Sequence, residues 1–196
     1  MKNISMRVLP GVRYLAFDKH TGRILHTHSR FSVEKNEYTT VPLEELKGMI
    51  VSDHSIVEEL TDHDPKNLDV IQVKSEEATG GEGGMMVDVA HRTLVPLPTL
   101  SVTASKKEIQ GDGKDSAKID VRVLGADGKL LSKFKGQVKV TTTRGKLSAR
   151  GGIVDLTDGL ASITLTSVPE TVSSVRVLAA ALNGLCTAGY VTVEFV

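Results

Sequence analysis

Apolar and polar residues alternate along the second half of the chain. Ala117-Lys-Ile-Asp-Val-Arg-Val-Leu124 sets Ile119, Val121 and Val123 on one side and Lys118, Asp120 and Arg122 on the other. The same alternation recurs in residues 99–104, 137–143, 160–166, 172–178 and 190–196. A period of two over such lengths predicts strands with one buried face. Between them lie Gly111-Asp-Gly113, Asp127-Gly128, Arg144-Gly145, Gly151-Gly152, Asp158-Gly159 and Asn183-Gly184. These are turn sequences, because Gly, Asn and Asp tolerate the positive φ of tight turns. Short strands at regular spacing with turns between them predict a β-sandwich. No segment in this half has a helical period.

The first half reads differently. Residues 12–17 and 23–28 flank Asp18-Lys-His-Thr-Gly22, which predicts a β-hairpin. Pro42-Leu-Glu-Glu-Leu-Lys47 can open a short helix, with Pro42 in its first turn and Glu44 and Glu45 near the positive end. Ser52 or Asp53 can cap a second helical turn through Leu60. Residues 68–74 read as a strand, and residues 85–94 as its partner. Ser75–Gly84 joins them and holds four Gly and three Glu, which predicts a mobile acidic loop. The first part is therefore expected to be a small α+β domain.

Charge sharpens this division. The chain of 196 residues carries 24 Lys+Arg and 24 Asp+Glu, so its net charge is zero. Residues 1–96 hold 11 and 15, a balance of −4, and residues 97–196 hold 13 and 9, a balance of +4. All six histidines lie in the first part. The expected organisation is an α+β domain over 1–94, a Pro-rich linker over 95–99 and a β-sandwich over 100–196. Pro96 and Pro98 stiffen that linker. A pI near 7.0 speaks against a generally basic nucleic-acid binder. The single cysteine, Cys186, excludes a disulfide scaffold. No apolar run of roughly 7–15 residues follows the first charges, and none nears the roughly 20 of a membrane span. Neither a signal peptide nor a transmembrane segment is expected.

Few residues suggest chemistry. His26-Thr27-His28 on a strand projects both imidazoles to one side, and with His20 or His91 a metal site is conceivable. No third ligand stands at a diagnostic spacing, so a solvated strand face is the expectation. Asp62-His-Asp-Pro65 reads as a helix-terminating turn. Cys186 has no histidine in its half to act as a base and reads as a small buried residue. Gly80-Gly-Glu-Gly-Gly84 lacks the Lys-Ser/Thr ending of a phosphate loop, and its carboxylate would repel phosphate. Lys106, Lys107, Lys114, Lys129, Lys133, Lys135 and Lys139 read as a solvated surface interleaved with acids, without aromatic platforms for nucleic acid. No catalytic, cofactor-binding or metal-ligating residue is assigned.

One resemblance is specific. In order come Gly111-Asp-Gly-Lys-Asp-Ser-Ala-Lys-Ile-Asp-Val-Arg-Val123, Asp127-Gly-Lys-Leu-Leu131, Gly136–Ser148 ending in Gly-Lys-Leu-Ser, and Thr157-Asp-Gly-Leu-Ala-Ser-Ile-Thr-Leu-Thr-Ser167. This succession over about residues 99–196 resembles a bacterial immunoglobulin-like domain of the invasin/intimin type. The resemblance implies a spacer, adhesive or interaction module, not an enzyme. Members of that family usually stand in tandem behind a signal sequence, whereas this sequence holds one copy and no signal-like run. Immunoglobulin-like domains of this general kind also occur in tailed-bacteriophage virion proteins, which assemble in the cytoplasm. The expectation is a non-enzymatic virion accessory protein, capsid-decorating or tail-associated, assembled in the host cytoplasm. Its expected partners are other virion proteins and copies of itself, with no nucleic acid, membrane, small-molecule substrate or cofactor. The alternatives are a bacterial surface adhesion module of invasin type and a small metal-dependent enzyme built on the histidines.

Overall fold

The structure, a computed structural model, describes residues 12–28, 30–32, 37–39, 60, 63–74, 84–169 and 172–196. It is mainly β. The chain divides into two compact units, Met1–Pro96 and Leu97–Val196.

In the first unit the strands are β1 (Val12–Asp18), β2 (Ile24–His28), β3 (Arg30–Ser32), β4 (Glu37–Thr39), β5 (Leu68–Lys74), β6 (Met85–Asp88) and β7 (Thr93–Pro96). The central sheet runs β2-β1-β5, antiparallel throughout. Tyr14, Leu15, Ala16 and Phe17 are consecutive and all buried. An unbroken apolar run marks a strand covered on both faces. One face of the sheet packs Tyr14, Ala16, Leu68 and Val70 with Leu60. The other packs Leu15, Phe17, Ile71 and Val73 with Val87 of β6.

The predicted hairpin is present, with Ala16 opposite His26 and Tyr14 opposite His28. Asp18 closes its turn by accepting from the N–H groups of His20 and Thr21 and from the Thr21 hydroxyl. Partial burial acts to raise the Asp18 carboxyl, but these hydrogen bonds outweigh it and hold the group below its ordinary pKa. The predicted pairing of residues 85–94 with residues 68–74 is not what forms. β5 pairs with β1 along its whole length. Residues 85–94 fold on themselves, with Asp88 opposite Thr93 across a turn. Asp88 accepts from Ala90 N–H and His91 N–H, and Arg92 takes a positive φ of 54°. A local carboxylate turn thus breaks what reads as one long strand. The two predicted helical turns, at 42–47 and 52–60, lie outside the described residues apart from buried Leu60, as does most of the acidic loop 75–84.

The Pro-rich stretch is also more regular than a linker over 95–99. Val95 and Pro96 belong to β7, and Thr99 already belongs to the next strand. Pro96 ends β7 opposite Met85, where a missing N–H costs little.

The second unit holds β8 (Thr99–Ala104), β9 (Glu108–Ile109), β10 (Ser116–Leu124), β11 (Gly136–Thr142), β12 (Lys146–Leu147), β13 (Ile153–Leu156), β14 (Leu160–Thr166), β15 (Ser173–Ala181) and β16 (Gly189–Phe195). One sheet runs β12-β14-β10-β8 and the other β13-β11-β15-β16-β9. All pairings are antiparallel except that of β9 with β16. Two sheets, a first strand that pairs in one and a short continuation that joins the other, make this an immunoglobulin-like sandwich. Ile119, Val121 and Val123 of β10 face Val138, Val140, Val175, Val177 and Phe195 across the core, as their alternation predicts. The turn glycines 113, 128, 145, 151, 152, 159 and 184 all have positive φ. Cys186 is a buried free thiol, and burial raises its pKa to about 11.

Candidate interaction face

The two outer faces of the sandwich differ in chemistry. On the β10–β14 side Leu160 is exposed, but the polar residues beside it are internally paired. Lys118 reaches Asp120 at 2.9 Å, and the Ser162 hydroxyl donates to the same carboxylate. These contacts, Ser162 first and then Lys118, hold the Asp120 carboxyl below its ordinary range. A surface whose charges are already matched offers little to a partner.

The β11–β15–β16 side is different. Register places Thr141, Leu178 and Tyr190 in one row across the three strands, and Ile153, Lys139 and Ala180 in the next. Leu178, Leu182 and Tyr190 are 40%, 53% and 57% exposed, and Ile153 is exposed beside them. The Arg176 guanidinium lies 4.1 Å from the centre of the Tyr190 ring. That stacking holds the aromatic face in place while leaving its edge in water. Polar groups border the patch: Gln137 donates to Asp155 at 2.9 Å, and Ser174 donates to Glu194 at 2.8 Å. An apolar centre with an aromatic anchor, an arginine and a polar border has the composition of a protein-binding surface.

Beyond this face the chain runs through a basic segment. After β11 the chain turns at Arg144-Gly145, forms β12, and returns through a 3-10 turn, Arg150–Gly152, into β13. Gly152 sits where a Cβ would lie 2.1 Å from the Val140 carbonyl oxygen. Only glycine lets this turn press onto β11. Once seated, the Gly151 carbonyl accepts from the Lys139 ammonium. Lys139, Arg144, Lys146 and Arg150 all lie along this stretch of β11, the turns and β12. The reading of the lysines as interleaved with acids holds for Lys106 and Lys114, both near Asp115, and for Lys129, which pairs with Asp127 at 3.2 Å, but fails further along. From Leu130 to Val154 there are six Lys+Arg and no Asp or Glu. That acid-free run was the available signal.

The structure separates the other singled-out residues. The His26 and His28 rings share a side of β2, with centroids 6.3 Å apart. His20 meets Asn67 at 3.2 Å, and His91 meets Asp88 at 2.7 Å. Among the described residues no three of His, Cys, Asp and Glu come together as metal ligands. His54 and Asp62 lie outside the described residues. Asp64 begins a turn: it accepts from Lys66 N–H and caps the 3-10 turn Pro65–Asn67 that leads into β5. No helix among the described residues is long and apolar enough to cross a membrane.

No family model matches this sequence, and no curated protein does either. Solved structures that are similar include a C-terminal 282-residue fragment of intimin in complex with the intimin-binding domain of the translocated intimin receptor. It is 28% identical, with a TM-score of 0.41, over 50% of this chain and 32% of that one. The adhesin InvE of Yersinia pseudotuberculosis is 16% identical with a TM-score of 0.42, over 51% and 28% of the two chains. A β-glucuronidase of glycoside hydrolase family 2 is 17% identical with a TM-score of 0.45, over 96% and 19%. The chain thus spans less than a third of each of these proteins. The sandwich architecture rests on this chain's own strand pairing, and the structural neighbours include intimin, the protein type that the motifs in residues 99–196 resemble.

Proposed function

We propose that the second unit is a non-enzymatic protein-interaction module that binds through the β11–β15–β16 face, and that the chain serves as an accessory protein of a tailed-phage virion. The contrast between the two outer faces carries the reading. One centres on the self-paired Lys118–Asp120–Ser162 cluster with Leu160 at its end, and the other exposes Leu178, Leu182 and Tyr190 together beside Arg176. The virion placement draws support from a sandwich that closes without any cross-link, its one thiol buried. Such a fold suits assembly in a reducing cytoplasm.

The test uses particles purified on a density gradient from cells producing the protein. Wild-type chain co-sediments with virions, and Tyr190→Ala with Leu178→Ser does not. Loss of a central aromatic anchor worth about 2 kcal/mol weakens binding about 30-fold. Arg122→Ala, on the opposite face, binds as wild type. Labelling on intact bacteria with none on particles places the module on the cell surface and refutes the virion role. Full binding by the Tyr190/Leu178 variant refutes the face.

A further inference from the structure

We propose that the free edge of β13 pairs with β13 of a second copy of the chain, antiparallel about a two-fold axis at Val154. The surface is the edge of the sheet, not the β11–β15–β16 face described above.

Strand register shows which main-chain groups stand open. β13 ends its sheet and pairs with β11 alone. Leu182 N–H donates to Gln137 C=O, so Gln137 turns its main-chain groups to β15. These groups alternate in direction along a strand. Gly136 and Val138 therefore turn theirs to β13, where they meet Leu156 and Val154. The N–H and C=O groups of Ile153 and Asp155 then point away from β11. Among the described residues no strand takes them up. Both residues are exposed. Two donors and two acceptors thus stand in a row at the edge.

The other edges of the sandwich are protected. β9 and β12 are only two residues long, with Lys106 and Lys107 before β9 and Lys146 in β12. β8 is pressed against β16, because the Leu100 carbonyl leaves no room for a Cβ on Gly189. Shortness, lysines and a covering strand are devices that keep edges from pairing. β13 has none of them. Its sequence, Ile-Val-Asp-Leu, holds no Lys or Pro, and its one carboxylate accepts from Gln137 of the same copy.

Self-pairing has one register that fits. Centred on Val154, Ile153 of each copy lies opposite Asp155 of the other, and every open group is paired. Centred on Ile153, Asp155 would meet Gly151, which the turn holds at a φ of 65°, outside strand geometry. Centred on Asp155, two carboxylates would stand opposite each other, and Ile153 would meet Thr157, whose N–H already donates to Leu160. A second copy matches the open groups by symmetry, whereas a foreign strand has to match them one by one. Each copy has one such edge, so the two-fold contact closes as a dimer. It joins two five-stranded sheets with their outer faces on the same side, so both Tyr190 patches face one way. That consequence, unlike the pairing itself, rests on the reading of the face given above.

Disulfide trapping on the full chain tests this. Residues at the two-fold form a non-hydrogen-bonded pair, with Cα atoms about 4.5 Å apart. That lies inside the range of about 4.4–6.8 Å that a disulfide spans. Val154→Cys therefore cross-links to a dimer in oxidised glutathione, and the native Cys186, being buried, does not compete. Leu160→Cys, on the other sheet, measures chance collision, because Leu160 is 44% exposed and Val154 is half-buried. Val154→Cys nevertheless cross-links about tenfold faster or more, since pairing raises the local thiol concentration. Adding Asp155→Pro removes one edge N–H per copy and slows the reaction about tenfold. Circular dichroism checks the fold, and Asp155→Lys, which places a lysine on the edge, slows the reaction likewise if the proline variant unfolds. Equal rates for Val154→Cys and Leu160→Cys overturn the proposal. So does cross-linking that a folded Asp155 variant leaves unchanged. Failure here leaves Tyr190-dependent particle binding untouched, because a single copy still presents that face.

Discussion

The glycine at position 152 allows a clean separation of two physical effects. Gly152 and Gly128 have similar backbone conformations, with φ of 69° and 76°. Their surroundings differ completely. A Cβ on Gly128 would meet nothing within 4 Å. A Cβ on Gly152 would lie 2.1 Å from the Val140 carbonyl oxygen and 3.5 Å from Leu147 Cδ1. Gly128→Ala therefore carries only the penalty of a left-handed conformation, about 1–2 kcal/mol. Gly152→Ala carries that penalty and must also push the 3-10 turn away from β11 by about 1 Å. Forcing atoms into a filled site adds about 1–3 kcal/mol. The expected totals are about 1–2 kcal/mol for Gly128→Ala and about 2–5 kcal/mol for Gly152→Ala. Denaturant unfolding followed by far-ultraviolet circular dichroism measures both, with unchanged slope as the sign that the unfolded reference has not moved. Displacing the turn also breaks the Lys139–Gly151 hydrogen bond. Equal destabilisation by the two substitutions would refute the close approach of the turn to β11.

Other expectations follow from the same geometry. Phe17→Ala, which empties a fully buried site beside Val87, costs about 3–5 kcal/mol in the first unit, read from denaturant unfolding. The Asp115 carboxylate accepts from Lys106 and from the N–H groups of Gln110 and Ser116, which together hold its pKa at about 2. Because its folded value lies below the ordinary one of about 3.9, its contribution is complete above that pH and is lost as pH falls towards 2. Asp115→Asn flattens that part of the acid-unfolding curve, and an unaltered curve would count against the three hydrogen bonds. With its pKa raised to about 11, the Cys186 thiol reacts slowly with an alkylating reagent at pH 8 and rapidly once denaturant opens the sandwich. Fast modification of the native protein would contradict its burial.

Much of the second unit was legible in the sequence because its determinants are local. Residues 117–124 alternate without a fault, and the strand they form buries the predicted side. The Asp-Gly and Gly-Gly turns carry positive φ where the chain reverses. The short strands β9, β12 and β13 were not legible. Two to four residues give too little period, and their pairing depends on which neighbour happens to lie alongside. The β6–β7 hairpin was misread for a related reason. Met85-Met-Val-Asp-Val-Ala-His-Arg-Thr-Leu94 looks continuous, but Asp88 gathers the N–H groups of Ala90 and His91 into a turn.

The candidate site shows the same boundary. That the lysines and arginines from 129 to 154 run free of acids is a fact of sequence alone. So are the two opposite charge blocks, the absence of a disulfide network and the alternation that demands a sandwich. Each depends on residue identity and near neighbours along the chain. That Leu178 and Tyr190 stand side by side in the open, that Arg176 lies over the ring, and that Arg150 is folded back to Lys139 were decided by the tertiary structure. Those residues are separated by ten or more positions, and only sheet register and the room left by one missing Cβ bring them together.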